Sequence, residues 1–150
     1  MWRSRAPLSA LDVGQQESLL RSLLRRSPTW AFGHKTLSEL ALQSNNIPLA
    51  YSSAIIYERL AQRSPTDRRD ALTLIGRCFL RRGECDRALE HFLKARELAP
   101  ETPQLSEEIA AAYILKGMHA EAYATLKTID PASLSAEGKA ALSFVEGKCG

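Results

Sequence analysis

The sequence predicts an all-α protein, an α-solenoid of antiparallel helix pairs with about eight helices. Leu, Ala, Arg, Glu and Ser dominate and β-branched residues are sparse, which favours helices over strands. A pattern of apolar residues recurs after 34 residues, and a fixed recurrence of this length indicates a repeat architecture. Glycine and proline stand between the apolar-periodic segments, where they mark turns and helix ends.

The most regular unit spans residues 69–102. Gly83 divides it, because glycine permits the left-handed turn that closes a helix, and Pro100 ends it, because proline cannot continue one. Small residues at Gly76 and Ala88 predict that the two helices cross with close backbone approach. Apolar residues at three- and four-residue spacing form one face in each half. They are Leu72, Ile75, Gly76 and Phe79, then Ala88, Phe92 and Ala95.

Two neighbouring units follow the same template. Residues 103–132 align with Gly117 in the glycine position, and residues 30–65 align with Asn45 there. Ala50 precedes Ala88 by 38 residues rather than 34, so four residues are inserted, and we expect them in a longer second helix of the first unit.

Single helices are expected outside these units. We predict a flexible N-terminal segment 1–14, a helix over 15–27 that ends before Pro28, and a terminal helix over 135–148. No run of 18 apolar residues occurs, so no transmembrane segment is predicted.

Residues 69–102 resemble a tetratricopeptide repeat (TPR) in the order and spacing of their apolar, glycine, alanine and proline positions, and the resemblance extends over residues 15–148. It implies a right-handed, gently curved array with the first helix of each pair on the concave side. It also implies a non-catalytic adaptor or scaffold that holds a peptide segment or partner protein.

The resemblance assigns a peptide-binding groove to positions on the first helices. Arg77 and Arg81 lie four residues apart on one helix face and fit an acidic peptide with an apolar anchor. Alternatively, they pair with Asp70 or with acids of the adjacent repeat. The groove positions are Lys35, Glu39, Asp70, Thr73, Arg77, Leu80, Arg81, Gln104, Glu107, Ala111 and Ile114.

Enzyme chemistry has little support in the sequence. The histidines His34, His91 and His119 do not occur at metal-ligand spacing from one another or from a cysteine, and no phosphate-binding or nucleophile motif is present. We therefore expect no catalytic residue, metal or cofactor. The 3 cysteines form no CxxC pair and favour a reducing compartment, the cytoplasm, although a longer or membrane-anchored parent chain stays open.

Two alternatives follow from apolar and charge patterning. Leucines near residues 19–24 and apolar residues near 142–145 suggest self-association through the terminal helices. Eight arginines between residues 59 and 87 suggest an RNA-binding helical repeat. Nucleic acid is the less expected partner, because residues 97–150 hold eight acids and four lysines, and these acids repel phosphate.

Overall fold

The structure, a computed structural model, describes residues 11–100 and 102–149. These residues form eight α-helices and one short 3-10 helix, Pro131–Ser133, without strands. Each helix packs against the next one in the chain, which gives a right-handed α-solenoid of antiparallel helix pairs. The helices are α1 Val13–Arg26, α2 Ala31–Gln43, α3 Ile47–Leu60, α4 Pro65–Arg81, α5 Cys85–Leu98, α6 Pro103–Leu115, α7 His119–Lys127 and α8 Ala136–Cys149. None of the helices in these residues combines the length and the apolar character that a membrane crossing requires.

The first helix begins two residues before the predicted start at residue 15. The Asp12 side chain accepts a hydrogen bond from the Gln15 backbone N–H, and the Gln15 side chain accepts one from the Asp12 N–H. This reciprocal capping box stabilises an earlier start. Val13 and Gly14 therefore belong to α1 rather than to the predicted flexible segment 1–14, of which residues 1–10 lie outside the described residues.

The four inserted residues lie in a first helix, and the prediction of a longer second helix was wrong. Both α3 and α5 have 14 residues, whereas α4 has 17 and α6 has 13. The extra turn begins at Pro65, with the Ser64 side chain accepting a hydrogen bond from the Asp67 N–H. Proline suits this first helical position because its missing N–H would have no partner inside the helix.

Three turns between paired helices share one backbone conformation. Gly83 and Gly117 have φ of 80° and 79°, and Asn45 has φ of 58°. The sequence alignment places Asn45 in the glycine position of the first repeat, and asparagine is one of the few other residues that visits this left-handed region.

The central core confirms the apolar faces and shows which side chain Gly76 contacts. A Cβ atom built on Gly76 would lie 2.5 Å from the Phe92 ring, so the glycine makes room for an aromatic side chain on the facing helix. Phe92 and Ala88 are both completely buried. The crossing of α4 and α5 at Gly76 therefore includes a contact between the glycine and the Phe92 ring.

The first helices form the inner side of the array. α2 contacts α4, α4 contacts α6 and α6 contacts α8, in addition to the contacts between consecutive helices. Because α8 continues this series, it is a first helix without a second helix after it in the described residues.

Candidate functional site

A cleft of about 380 Å³ lies on the inner side between α4, α6 and α8. It brings together four predicted groove residues, namely Arg77, Gln104, Glu107 and Ala111. The remaining lining comes mainly from residues that the sequence prediction missed: Glu108, Leu126, Ser135, Glu137, Gly138 and Ala141. Most of these lie on or near α8, the predicted terminal helix, to which no groove position was assigned. Its place in the repeat order, directly after the third helix pair, was the signal that could have found them.

Arg77 is engaged with the neighbouring repeat. Its Nε donates a hydrogen bond to Glu108 Oε1 at 2.8 Å, with 32% and 26% of the two side chains exposed. Arg81 Nη1 donates to the Leu42 carbonyl of α2 at 3.2 Å and does not line the cleft. Arg77 therefore forms the ion pair that the sequence offered as the alternative to peptide binding, a pair with an acid of the adjacent repeat.

Glu107 fixes the start of α8. Its Oε1 accepts hydrogen bonds from the Ser135 backbone N–H, at 3.2 Å, and from the Ser135 hydroxyl. The Ser135 Oγ in turn accepts a bond from the Gly138 N–H at 3.0 Å. A carboxylate close to a helix N-terminus is favourable because the helix dipole is positive there. Glu107 therefore holds the third wall of the cleft in place.

Two of the predicted residues on the N-terminal side of the groove, Lys35 and Asp70, join neighbouring helices. Lys35 on α2 lies 3.4 Å from Asp70 on α4, and each side chain is 27% exposed. Thr73 is nearly buried and donates to the Arg69 carbonyl of its own helix at 2.8 Å, so its hydroxyl is already satisfied. Glu39 is half-buried on α2.

The apolar groove residues are partly engaged in the core. Leu80 packs against the central cluster of buried residues, and Ile114 packs against a second cluster that joins α6, α7 and α8. Leu115, beside Ile114, is 63% exposed and remains open at the end of α6.

The charge of the cleft is negative on balance. Glu107, Glu108 and Glu137 line it with one cation, Arg77, whose guanidinium is already paired. On the basis of Arg77 and Arg81 alone, the sequence led us to expect a positively charged groove instead. The lining charges favour a basic or amide-bearing segment over an acidic one.

Each histidine contacts a neighbouring group of the fold, and one cysteine, Cys78, is buried. His34 is buried and its Nε2 donates to the Pro28 carbonyl at 2.8 Å, whereas the rings of His91 and His119 lie against Phe79 and Phe144. In the described part of the chain, no group of three or more His, Cys, Asp or Glu could hold a metal ion. All three cysteines are free, and burial raises the pKa of the Cys78 thiol to about 11, which makes it a poor nucleophile at neutral pH.

The arginines that suggested RNA binding are largely paired with carboxylates. Of the eight between residues 59 and 87, five lie within 4.0 Å of an acidic oxygen: Arg68, Arg69, Arg77, Arg82 and Arg87. Pairing reduces the positive charge available to a phosphate backbone, so the structure adds no support to that alternative.

Comparisons with known proteins identify the fold through structure rather than sequence. No family model matches the chain, and no curated protein matches it in sequence. A crystal structure of the MamA protein superposes with a TM-score of 0.65 at 21% identity, covering 77% of this chain and 61% of MamA. A second MamA structure, from AMB-1, gives a TM-score of 0.62 at 24% identity over 77% of this chain and 66% of its own.

The chain thus spans less than two thirds of the length of these two MamA structures. TTC0263, a thermophilic TPR protein of Thermus thermophilus, superposes with a TM-score of 0.74 at 17% identity, over 92% of this chain and 75% of its own. The recurring turns, the paired helices and these structural neighbours agree: the chain has the tetratricopeptide-repeat fold.

Proposed function

We propose that this chain is a non-catalytic protein-interaction scaffold that holds a segment of a partner protein on its concave face. The observation that carries the proposal is the inner cleft between α4, α6 and α8, which combines an apolar floor with polar walls. Ala111, Gly138 and Ala141 present little side-chain bulk, so an extended segment has room to approach the helices. The free thiols support a reducing compartment such as the cytoplasm.

The charge of the lining residues suggests which segment fits. An arginine, lysine or amide side chain of the partner would meet Glu107, Glu108 or Glu137, while a small apolar residue would rest on Ala111 and Ala141. A basic partner residue would compete with Arg77 for Glu108 rather than meet an unpaired carboxylate. We therefore expect the interaction to weaken as salt screens these charges, over about 10 Å at 0.1 M.

Ala111→Arg tests the groove by filling it. Ala111 is half-buried on α6 and lines the cleft, so an arginine there would occupy the space proposed for the partner. We expect proteins captured from an extract by the wild-type chain, and identified by mass spectrometry, to be lost from the Ala111→Arg variant. Circular dichroism and a thermal melt establish that the variant is folded.

Ala124→Arg is the matched control. Ala124 is exposed on α7, a second helix, where the same substitution leaves the inner cleft open. It should capture the same proteins as the wild-type chain. Equal capture by the Ala111→Arg variant would rule out the cleft as the binding site.

Self-association through the first end of the array is a second candidate function. Leu19 and Leu23 lie four residues apart on α1 with 41% and 40% of their surfaces exposed. Trp30 and Phe32, exposed by 40% and 61%, have ring centroids 6.3 Å apart at the start of α2. At the other end Phe144 is 47% exposed, and its ring lies against His119 and under the Lys148 ammonium.

A Leu19→Ser/Leu23→Ser variant addresses this candidate. If the α1 face joins two copies, light scattering should show a molar mass that rises with concentration for the wild-type chain and stays monomeric for the variant. A monomeric wild-type chain at every concentration would exclude this function.

A further inference from the structure

A second cleft, of about 560 Å³, lies at the edge of the array where the paired helices turn. Its walls are Ile47 and Pro48 in the first turn of α3, Tyr51 one turn further along, and Arg82 at the end of α4. None of these residues lines the inner cleft between α4, α6 and α8. The edge cleft is therefore a separate surface, and the groove template of the repeat assigns it no role.

A row of aromatic rings supports the apolar wall. The Tyr51 ring centroid lies 5.6 Å from that of Phe79 in an edge-on arrangement, and the Phe79 centroid lies 5.1 Å from that of His91. Phe79 is only 6% exposed, whereas Tyr51 is half-buried at the surface. The rings come from α3, α4 and α5, so the repeat packing fixes Tyr51 as a rigid platform. Rigid aromatic surface binds an apolar group at a small cost in side-chain entropy.

Arg82 brings a positive charge that its carboxylate partner neutralises only in part. Its side chain is 51% exposed, and its Nε lies 3.7 Å from Glu84 Oε2, a loose pair of the kind that contributes little to stability. Arg87 lies 4.0 Å from the same carboxylate and is 65% exposed. One carboxylate thus serves two guanidinium groups. Residues 40–57, which include the opposite wall, contain no charged residue.

We propose that this edge cleft docks a short segment of a partner protein in which an aromatic or aliphatic side chain stands beside an acidic residue. The apolar side chain fits against Ile47, Pro48 and Tyr51, and the carboxylate pairs with Arg82. Guanidinium and carboxylate groups form charge-assisted, bidentate hydrogen bonds, which orient the segment. The scaffold then carries two surfaces of opposite character, an acid-rich inner cleft and a basic, apolar edge cleft.

The experiment selects peptides from a random library displayed on phage, using the whole chain as bait. The selected sequences should place Asp or Glu beside Phe, Tyr, Trp, Leu or Ile, and one of them is then synthesised with a fluorescent label. Its affinity, measured by anisotropy, should fall by about tenfold or more for Arg82→Glu and for Tyr51→Ala. Arg82 is exposed at the end of its helix, so Arg82→Glu should not disturb the fold. If Tyr51→Ala lowers the melting temperature, the affinity of the Arg82→Glu variant alone tests the proposal.

Two controls separate this surface from the others. Arg63→Glu reverses an exposed arginine in the loop before α4, and Ala111→Arg fills the inner cleft. Both should bind the labelled peptide as the wild-type chain does, whatever Ala111→Arg does to proteins captured on the concave face. The proposal is overturned if no acidic peptide is enriched, if Arg82→Glu leaves the affinity unchanged, or if Ala111→Arg alone abolishes binding. Complete competition by single-stranded RNA at equal concentration also overturns it.

Discussion

Replacing Phe92 by alanine is expected to lower the free energy of unfolding by about 3–5 kcal/mol, the usual cost of truncating a buried phenylalanine. Phe92 is completely buried on α5 and its ring fills the space above Gly76 on α4. Removing the ring leaves a cavity at the crossing of the most regular helix pair, and the surrounding helices cannot close it without losing their other contacts. Urea or thermal denaturation followed by circular dichroism measures the loss.

Phe144→Ala is the matched control for this substitution. Phe144 is 47% exposed on α8, so the same change should cost no more than about 1 kcal/mol. Similar losses for the two variants would contradict the packing described for Phe92.

Gly76→Ala gives a second test of the same contact. Its Cβ would lie 2.5 Å from the Phe92 ring, and overpacking of this kind costs about 1–3 kcal/mol. In the Phe92→Ala background the methyl group meets no ring, and alanine is the better helix former, so the substitution should there be neutral or stabilising. The effect of Gly76→Ala on the free energy of unfolding should thus change sign when the Phe92 ring is removed. Two independent sites would show no such coupling.

The sequence was sufficient to predict the repeat because its turns and apolar faces are local signals. Gly83 and Gly117 recur at 34 residues, and Asn45 holds the same position with the same positive φ. The helix that contains the four inserted residues could not be identified from local signals of this kind. Ser64-Pro65 ends one helical pattern and also begins the next helix, so the sequence alone left open which helix is longer.

The inner cleft was predicted in part. Repeat positions indicated that Arg77, Gln104, Glu107 and Ala111 face one groove, and all four line the cleft. Which charges pair across that groove depends on the register of neighbouring helices, which the sequence of one helix does not contain. The pair between Arg77 and Glu108 joins residues 31 apart in sequence, and it changes the sign of the charge offered to a partner.

The edge cleft could not be predicted from the repeat template. Its walls combine the start of α3 with the residue after α4, two segments that the template treats as helix ends. Tyr51 and Arg82 become neighbours only when the first two helix pairs stack. Their chemistry matches the acidic, apolar partner that the sequence suggested for Arg77 and Arg81, but on a different surface.

Replacing Leu126 by alanine is expected to cost about 2–5 kcal/mol and to unfold the C-terminal helices before the rest of the chain. Leu126 is 1% exposed on α7, in a core cluster with Ile129, Leu134 and Val145 that is separate from the central cluster. Repeat arrays are stabilised by contacts between neighbours, so damage to one cluster stays local when the next interface is intact. Hydrogen exchange should show protection lost in α7 and α8 and retained in α4 and α5.

Leu115→Ala is the matched control, because Leu115 is 63% exposed on α6 and its truncation should leave exchange in α7 and α8 unchanged. An equal loss of protection in every helix of the Leu126→Ala variant would show instead that the chain unfolds as one cooperative unit. The outcome also bears on function. Leu126 and α8 line the inner cleft, so a locally unfolded C-terminal end removes a wall of the proposed groove while leaving Tyr51 and Arg82 in place. The same variant should therefore lose partners held on the concave face and still bind an acidic peptide at the edge.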